Sequence, residues 1–404
     1  MAEQSSTVVP GYEAKATTAA VLGYMLDGMD SLILSLTLSA IGLAFLLSSA
    51  EMGLIGFVLT GGMVTGGYIF GILADSYGRV RTFTYSILIY SVFTALTAVS
   101  INYPMILVTR FLSGVGTGAE YGIGMTLMSE AFKAKWRGFG SSIVSSGWTM
   151  GVILADVLAL FLMPVYGWRS LYLIGITPAI LAFYVRFRLP ESPMWNERVK
   201  KKRESEGFPL AMLFKREYIR FTAVFLVLAI IELMAYWGVM IWLPTALLVE
   251  YHISFPHTIY ILLVTDALII AGVLSAGVIS DFVGRRVAIS LGFIGKTFAF
   301  LMFALARTSI QAMYASFVVG FFTDFSFSQF GTLFSEPYPT SARSTAVNFI
   351  FNTGRGFGGI APLIIGILAP VFKISGVIGM FSFLLIVAAL VIWAIPETRG
   401  TILK

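Results

Sequence analysis

The chain contains no cysteine, which excludes disulfides, zinc–thiolate sites and thiol nucleophiles. Its two histidines, His252 and His257, share one short polar stretch, so neither a histidine-based catalytic centre nor a multi-histidine metal site has support. Charge is scarce: 12% of the 404 residues are Asp, Glu, Lys or Arg, about half the density of a soluble domain. No nucleophile–base–orienter arrangement and no metal-ligand spacing is visible, which argues against an enzyme and calls for neither cofactor nor metal. The alternating ten-residue segments of a transmembrane β-barrel are missing too. The first 16 residues lack the ordered basic region, apolar core and small-residue site of a cleaved signal peptide, so the first apolar run is expected to be retained.

Apolar sequence is what is abundant. Hydrophobic residues make up 57% of the chain and the mean hydropathy is +0.88. Runs of about 20 apolar residues, each long enough to cross about 30 Å of hydrocarbon as a helix, recur throughout. The expected spans are 17–42, 53–74, 82–100, 104–130, 138–163, 168–187, 218–247, 257–280, 287–306, 309–335, 344–369 and 374–395. That is an all-α membrane protein of twelve transmembrane helices, six per half.

Alternate connections hold Arg79/Arg81, Lys133/Lys135/Arg137, the basic cluster from Arg186 through Arg220, Arg285/Arg286 and Arg343; the opposite side holds Arg169, Arg307 and Lys373. The positive-inside rule then puts both termini and the basic loops in the cytoplasm, with the chain in the cell membrane. The net charge of +6 is therefore a topology signal and does not imply a nucleic-acid partner. The hydrophilic stretch 191–217, with Lys200-Lys201-Lys202-Arg203, reads as a linker between an N-terminal bundle, 1–190, and a C-terminal bundle, 218–404. Its basic run is expected to anchor orientation near anionic headgroups.

The two halves are related. Gly71-x-x-x-Asp75-x-x-Gly78-Arg79 returns as Gly277-x-x-x-Asp281-x-x-Gly284-Arg285, and 277 − 71 = 206. Glu130 and Arg137 return as Glu336 and Arg343, and Pro190-Glu191-Ser192 as Pro396-Glu397-Thr398, all at the same offset of 206. Four patterns in register mean a duplicated half, and duplicated apolar halves are the construction of secondary transporters.

These features resemble the major facilitator superfamily: twelve spans in two halves, the Gly-x-x-x-Asp-x-x-Gly-Arg motif after spans 2 and 8, and Arg110-x-x-x-Gly114-x-Gly116-x-Gly118 in span 4. Within it, Asp27-Gly28-Met29-Asp30 resembles the span 1 motif of aromatic acid:proton and sialate/monocarboxylate:proton symporters. Gly118-Ala119-Glu120-Tyr121-Gly122 is similar to the sialate and metabolite groups, and Trp242-Leu243-Pro244-Thr245 to both carboxylate groups. The Pro-Glu-Ser and Pro-Glu-Thr-Arg motifs also occur in sugar porters, whose usual glutamine pair in span 7 is not visible here. The resemblance implies alternating access around a central cavity, with a small organic anion and a proton as partners, in a monomer within the bilayer.

A charge at the centre of a membrane helix costs about 2.5–3.5 kcal/mol, so each needs a partner, water or a function. The spans enclose Asp27, Asp30, Arg110, Glu120, Asp156, Glu232, Asp266, Lys296, Asp324 and Arg355. Asp27 and Asp30, three apart, point to one face. Two carboxylates sharing a poorly solvated face should not both stay ionised, the property a proton-coupling site needs; alternatively, one only locks helices together through Arg110. Counting about 1.5 Å per residue puts Asp30 and Arg110 both about 20 Å above the inner face, so they are expected to meet. Glu120 lies nearer the cytoplasm, either on the proton's exit path or holding span 4 to a neighbour.

Arg355, midway along span 11, is the expected ligand of a substrate carboxylate, because its planar fork binds both oxygens. Asn352 and Asn348 share its stretch of helix, and Tyr236, Trp237 and Gln329 are expected pocket walls. The alternative for Arg355 is a permanent ion pair with Asp324 or Glu232. For Lys296, on a helix that the resemblance makes peripheral, snorkelling or pairing is expected; Asp156 and Asp266 receive no role.

Asp75 with Arg79/Arg81, Asp281 with Arg285/Arg286, and Glu130/Arg137 with Glu336/Arg343 are expected to form ion-pair clusters. They would either latch the cytoplasmic side while the outside is open or only anchor topology. Gly-rich stretches at 61–67, 114–124 and 354–359 allow close helix packing. The combined expectation is a proton symporter of a small organic carboxylate, with a sugar or polyol transporter and a drug exporter as rivals.

Overall fold

A computed structural model describes residues 11–47, 49–200, 209–401 and 403. Among them there is no β-strand. In oil every backbone polar group must be paired within its own segment, and helices achieve this. Span 1 is Tyr12–Phe45, span 2 Ser49–Tyr77, span 3 Arg79–Ala98, span 5 Arg137–Tyr166, span 7 Ile219–Val249, span 8 Phe255–Val283 and span 9 Arg285–Leu305.

Four spans are interrupted. Span 4 is Tyr103–Thr117 followed by Glu120–Ala131, and span 6 is Arg169–Ile174 followed by Pro178–Arg188. Span 10 runs Ser309–Thr323, turns through Phe327–Gln329 and ends with Phe330–Ser335. Span 11 begins as Arg343–Gly358 and resumes at Ile360; Lys373, at φ 63 and ψ 159, then breaks the helix into span 12, which runs to Val391. Among the described residues seven stretches, one of them covering both spans 11 and 12, are long and apolar enough to cross a membrane. The remaining spans, 3, 4, 6 and 10, are richer in polar residues or broken near mid-depth.

Within the expected linker lie helix Pro193–Lys200 and the turn Pro209–Met212. Residues 201–203 of the basic run fall outside the described residues.

Where spans 2 and 4 meet, side chains would not fit. A Cβ on Gly66 would lie 1.9 Å from the Val115 carbonyl oxygen, and one on Gly118 2.0 Å from that of Met63. Small residues are what let membrane helices approach, since lipid supplies no hydrophobic drive between them. Hydrogen bonds and ion pairs between the halves concentrate from mid-depth to the end that carries the basic loops. The core of the second half extends onto Tyr24, Tyr121, Met125, Val144 and Trp148 of the first, which form the inner wall between them.

Candidate functional site

Side chains of spans 1, 5, 7, 10 and 11 line a cavity of about 340 Å³, its mouth included. Of this space only about 20 Å³ is free to a water-sized molecule, room for about one water, so the site must widen to admit a ligand. Six of the ten lining residues are aromatic: Tyr24, Trp148, Tyr236, Trp237, Phe327 and Phe351. Trp148 Nε1 donates to the Tyr236 hydroxyl at 3.0 Å, joining the halves along one wall. Tyr121 stacks on Phe351 with ring centroids 4.0 Å apart and on Phe327 at 5.3 Å, which braces the aromatic surface from behind. The break in span 10 places Asp324 and Phe327 here, an arrangement typical of transporter sites formed by discontinuous helices.

Glu232, Asp324 and Arg355 supply the charges of the lining. Arg355 sits in the last turn of Arg343–Gly358, where the helix dipole favours a cation. Its guanidinium lies 4.7 Å from the Phe351 ring centroid, and Nη2 stands 3.7 Å from Asp27 Oδ2 across the domain boundary. Arg355 Nη1 is buried without a hydrogen-bond partner. The alternative for Arg355, a permanent pairing with Asp324 or Glu232, is therefore not what forms; the carboxylate facing it is Asp27 of span 1. Glu232 instead pairs with Lys296. Lys296 does not snorkel: it is 1% exposed, because a carboxylate on the adjoining span 7 meets it inside the bundle.

Asp27 and Asp30 do not share a site as their spacing suggested, since each carboxylate turns to its own cation. Asp30 Oδ1 is 3.6 Å from Arg110 Nη1 and accepts from the Thr94 hydroxyl at 2.6 Å, while Oδ2 accepts from Ser113 at 3.0 Å. Arg110 donates from Nε to Thr97 at 3.0 Å and from Nη2 to Thr94 at 2.9 Å, and its guanidinium lies 4.8 Å from the Tyr172 ring centroid. Thr94 thus links acid and base directly. Glu120 is buried between spans 1, 3 and 4, accepting from Ser86 at 2.5 Å with its second oxygen unpartnered.

Tyr236, Trp237, Glu232, Asp324 and Arg355 all line the cavity, but Gln329, Asn348 and Asn352 do not. The asparagines share a helix face with Arg355 but lie one and two turns nearer the basic-loop end. There, glycines of spans 2 and 4 admit a neighbouring helix where the cavity would otherwise continue. Asn352 donates to the Gly118 carbonyl at 2.9 Å, and a Cβ on Gly122 would lie 2.2 Å from the Asn348 amide carbon. Gln329 follows the turn in span 10 and donates to Ser142 at 2.9 Å, binding the halves below the cavity. Tyr24, Trp148, Leu233, Phe327 and Phe351 are lining residues that sequence reasoning missed, because an apolar side chain in an apolar span carries no contrast.

At the basic-loop end the contacts repeat with the sequence offset. Asp75 accepts from the backbone N–H of Ser344 at 3.2 Å and Thr345 at 2.7 Å; Asp281 accepts from Gly138 at 3.0 Å and Phe139 at 2.8 Å. Glu130 receives Arg79 at 3.2 Å and Arg343 at 2.6 Å, while Glu336 receives Arg137 at 3.1 Å and Arg285 at 3.5 Å. Glu191 caps the N-terminus of span 3 through Arg79 N, and Glu397 that of span 9 through Arg285 N. Burial pushes the Glu336 carboxyl up despite Arg285 and Arg137 beside it.

Arg81 and Arg286 do not join these clusters. Arg81 stands two residues past Arg79, about 200° around the helix, and is exposed beside Arg188 in a surface groove. Arg286, about 100° past Arg285, stacks on Trp393 at 4.3 Å.

Comparison with known proteins agrees with this architecture. Residues 20–361 match the Major Facilitator Superfamily model. The chain is 31% identical over 356 residues to the cis,cis-muconate transport protein of Acinetobacter baylyi, covering 87% of this chain and 86% of that one. It is 26% identical over 360 residues to the sialic acid transporter NanX of Escherichia coli, again covering 87% and 86%. Among solved structures it superposes on the proton:xylose symporter XylE with a TM-score of 0.80 and 18% identity, over 97% of this chain and 98% of that one. The chain belongs to the Major Facilitator Superfamily and is a membrane transporter, not an enzyme.

Proposed function

We propose that this protein is a proton symporter for a small organic carboxylate, working by alternating access as a monomer in the bacterial cell membrane. The observation that carries the reading is the contact between Asp27 and Arg355, one from each half, at the edge of an aromatic cavity. At 3.7 Å the pair is too long for a hydrogen bond. A substrate carboxylate competes with Asp27 for the same guanidinium, and a proton on Asp27 removes that competition, so proton and anion favour each other's binding. Asp30 and Arg110, joined through Thr94, form a second acid–base pair one turn further along span 1, through which protonation loosens the first half.

By the positive-inside rule the basic-loop end is cytoplasmic, together with both termini. The conformation described is then latched on the cytoplasmic side, with the cavity served from outside. Residues 1–190 and 218–404 rock against each other across the latch, with 191–217 as their tether. The carboxylate reading draws on the names of relatives that carry muconate and sialic acid. Likeness to a xylose symporter at 18% identity speaks for the fold alone and gives the sugar reading no weight.

The test is uptake into proteoliposomes with an inward proton gradient, using labelled benzoate, muconate and xylose. Accumulation of a carboxylate that collapses with the gradient, and that Arg355→Lys weakens at least tenfold in KM, is the expected result. Accumulation indifferent to the gradient would overturn coupling, and xylose uptake indifferent to Arg355→Lys would replace the substrate class.

A further inference from the structure

Two buried polar atoms of the cavity lining have no hydrogen-bond partner, and they are of opposite kind. Arg355 Nη1 can only donate. Glu232 Oε2 belongs to a residue that is 0% exposed, and its other oxygen, Oε1, is taken by the Lys296 ammonium. Each charge is balanced at its own place, Arg355 by Asp27 of span 1 and Glu232 by Lys296 of span 9. The acceptor and the donor therefore belong to separate poles of one cavity. Lys296 lies outside the lining, so it holds and neutralises Glu232 from behind without meeting the ligand itself.

We infer that Glu232, positioned by Lys296, is a specificity-determining acceptor that selects aromatic monocarboxylates bearing an O–H or N–H donor on a part of the ring away from the carboxylate. This deepens the carboxylate reading above and rests on it. A ligand with only a carboxylate satisfies Arg355 but leaves buried Glu232 Oε2 without a partner, so it binds more weakly than one that also donates to that oxygen. A ligand with a second carboxylate fares worse, because Glu232 and Asp324 both line the wall it would reach. Trp148, Tyr236, Phe327 and Phe351 give the space between the poles flat apolar faces suited to a ring. A hydroxyl on that ring donates to Glu232, while a methoxyl of similar shape cannot.

The experiment measures Kd by calorimetry on the purified full chain in detergent, for benzoate, the three hydroxybenzoates and the three methoxybenzoates. At least one hydroxybenzoate should bind tenfold or more tightly than both benzoate and its own methoxyl counterpart. In the double variant Glu232→Met/Lys296→Met, which removes both members of the buried pair and so strands neither charge, that preference, read as the ratio of the two Kd values, should fall below threefold. Lys296→Arg, which keeps a cation against Glu232, should retain a preference above threefold, the rescue by a conservative variant that marks a positioning residue. Equal binding of hydroxyl and methoxyl forms, or a preference that survives the double variant, overturns the inference while leaving the carboxylate reading intact. If no benzoate binds and a neutral sugar does, the carboxylate reading itself falls and this inference falls with it.

Discussion

Asp75, near the end of span 2, caps a helix of the opposite half: its Oδ2 accepts from the Thr345 backbone N–H and from the Thr345 hydroxyl, each at 2.7 Å. Span 11 has Ala342 at its own cap position, with no capping side chain, and span 5 likewise has Trp136. Both helix N-termini thus take their cap across the domain boundary, from Asp75 and Asp281 respectively. A cap of this kind holds only while the basic-loop end is closed, so it stabilises one state of the cycle and not the other.

Asp75→Ala and Asp281→Ala should each shift the equilibrium toward the state open at the basic-loop end. A charged cap at a helix N-terminus is worth about 1–2 kcal/mol, or roughly a 5–30-fold change in population. The natural absence of cysteine makes this measurable without background. Spin labels on Arg81→Cys and Phe282→Cys, both exposed positions on different halves, report the separation. No increase in the long-distance population for either variant would show that these contacts do not set the state.

Glu130→Gln should lower thermal stability markedly, since it removes the carboxylate 2.6 Å from Arg343 and one of the two that hold Arg79, Asp75 being the other, with both arginines 0% exposed. Breaking a buried pair by removing one member costs about 3–5 kcal/mol. Arg81→Ala, although it neutralises a cation of the same motif, should stay within about 0.5 kcal/mol because the side chain is exposed. Melting curves of the two variants in one detergent decide this; comparable losses would contradict the placement of Arg81 outside the cluster.

What could be read in the residues was what depends on count and period. Span number followed from apolar length, and the pairs Glu130–Arg343 and Glu336–Arg137 followed from motifs repeated at 206. Asp30 with Arg110 followed from depth alone, because rise per residue fixes height in a helix. What could not be read depends on which way a helix is turned about its own axis. In oil, lipid-facing and core-facing positions are both apolar, so no periodicity marks the inner face. For that reason Phe351 and Trp148 passed unnoticed, Gln329 and the two asparagines were placed one level too high, and Lys296, expected to snorkel or to pair, was given no named partner. The break at Asp324 was also hidden, having no proline to mark it, whereas the one at Lys373, a lysine with positive φ, falls in the connection expected between spans 11 and 12.

Asp30→Asn should separate exchange from accumulation. The amide fills the same space, its oxygen accepting from the Thr94 hydroxyl and its NH2 donating to the Ser113 hydroxyl oxygen, so Arg110 keeps its hydroxyl partners Thr97 and Thr94. What is lost is the negative charge that a proton can remove. Proteoliposomes loaded with unlabelled substrate should still exchange it at a rate within about threefold of native, since neutral hydrogen bonds at this site are worth only about 1 kcal/mol each. Gradient-driven uptake should fall to the exchange-free baseline. If uptake against a gradient persists, coupling resides in Asp27 or Glu120 and Asp30 is structural.

The first glycine of each repeated motif marks how near the halves come. A Cβ on Gly277 would lie 2.7 Å from Ser142 Cβ and 2.9 Å from Phe139 Cα; one on Gly71 would lie 2.9 Å from Asn348 Cβ and 3.3 Å from Thr345 Cα. All four neighbours belong to the opposite half, and none is a flexible side-chain end that can swing aside. Gly277→Ala and Gly71→Ala therefore oppose closure at the basic-loop end, Gly277→Ala the more strongly, while costing nothing once that end has opened. Gly66→Ala, whose clash with the Val115 carbonyl lies wholly within one half, costs the same in both states. The label pair described above should show a larger open population for Gly277→Ala than for Gly71→Ala and none beyond native for Gly66→Ala. Gly66→Ala should instead lower the melting temperature, by overpacking worth about 1–3 kcal/mol. A shift in all three variants alike would mean that helix packing within a half, not the fit between halves, governs which end is open.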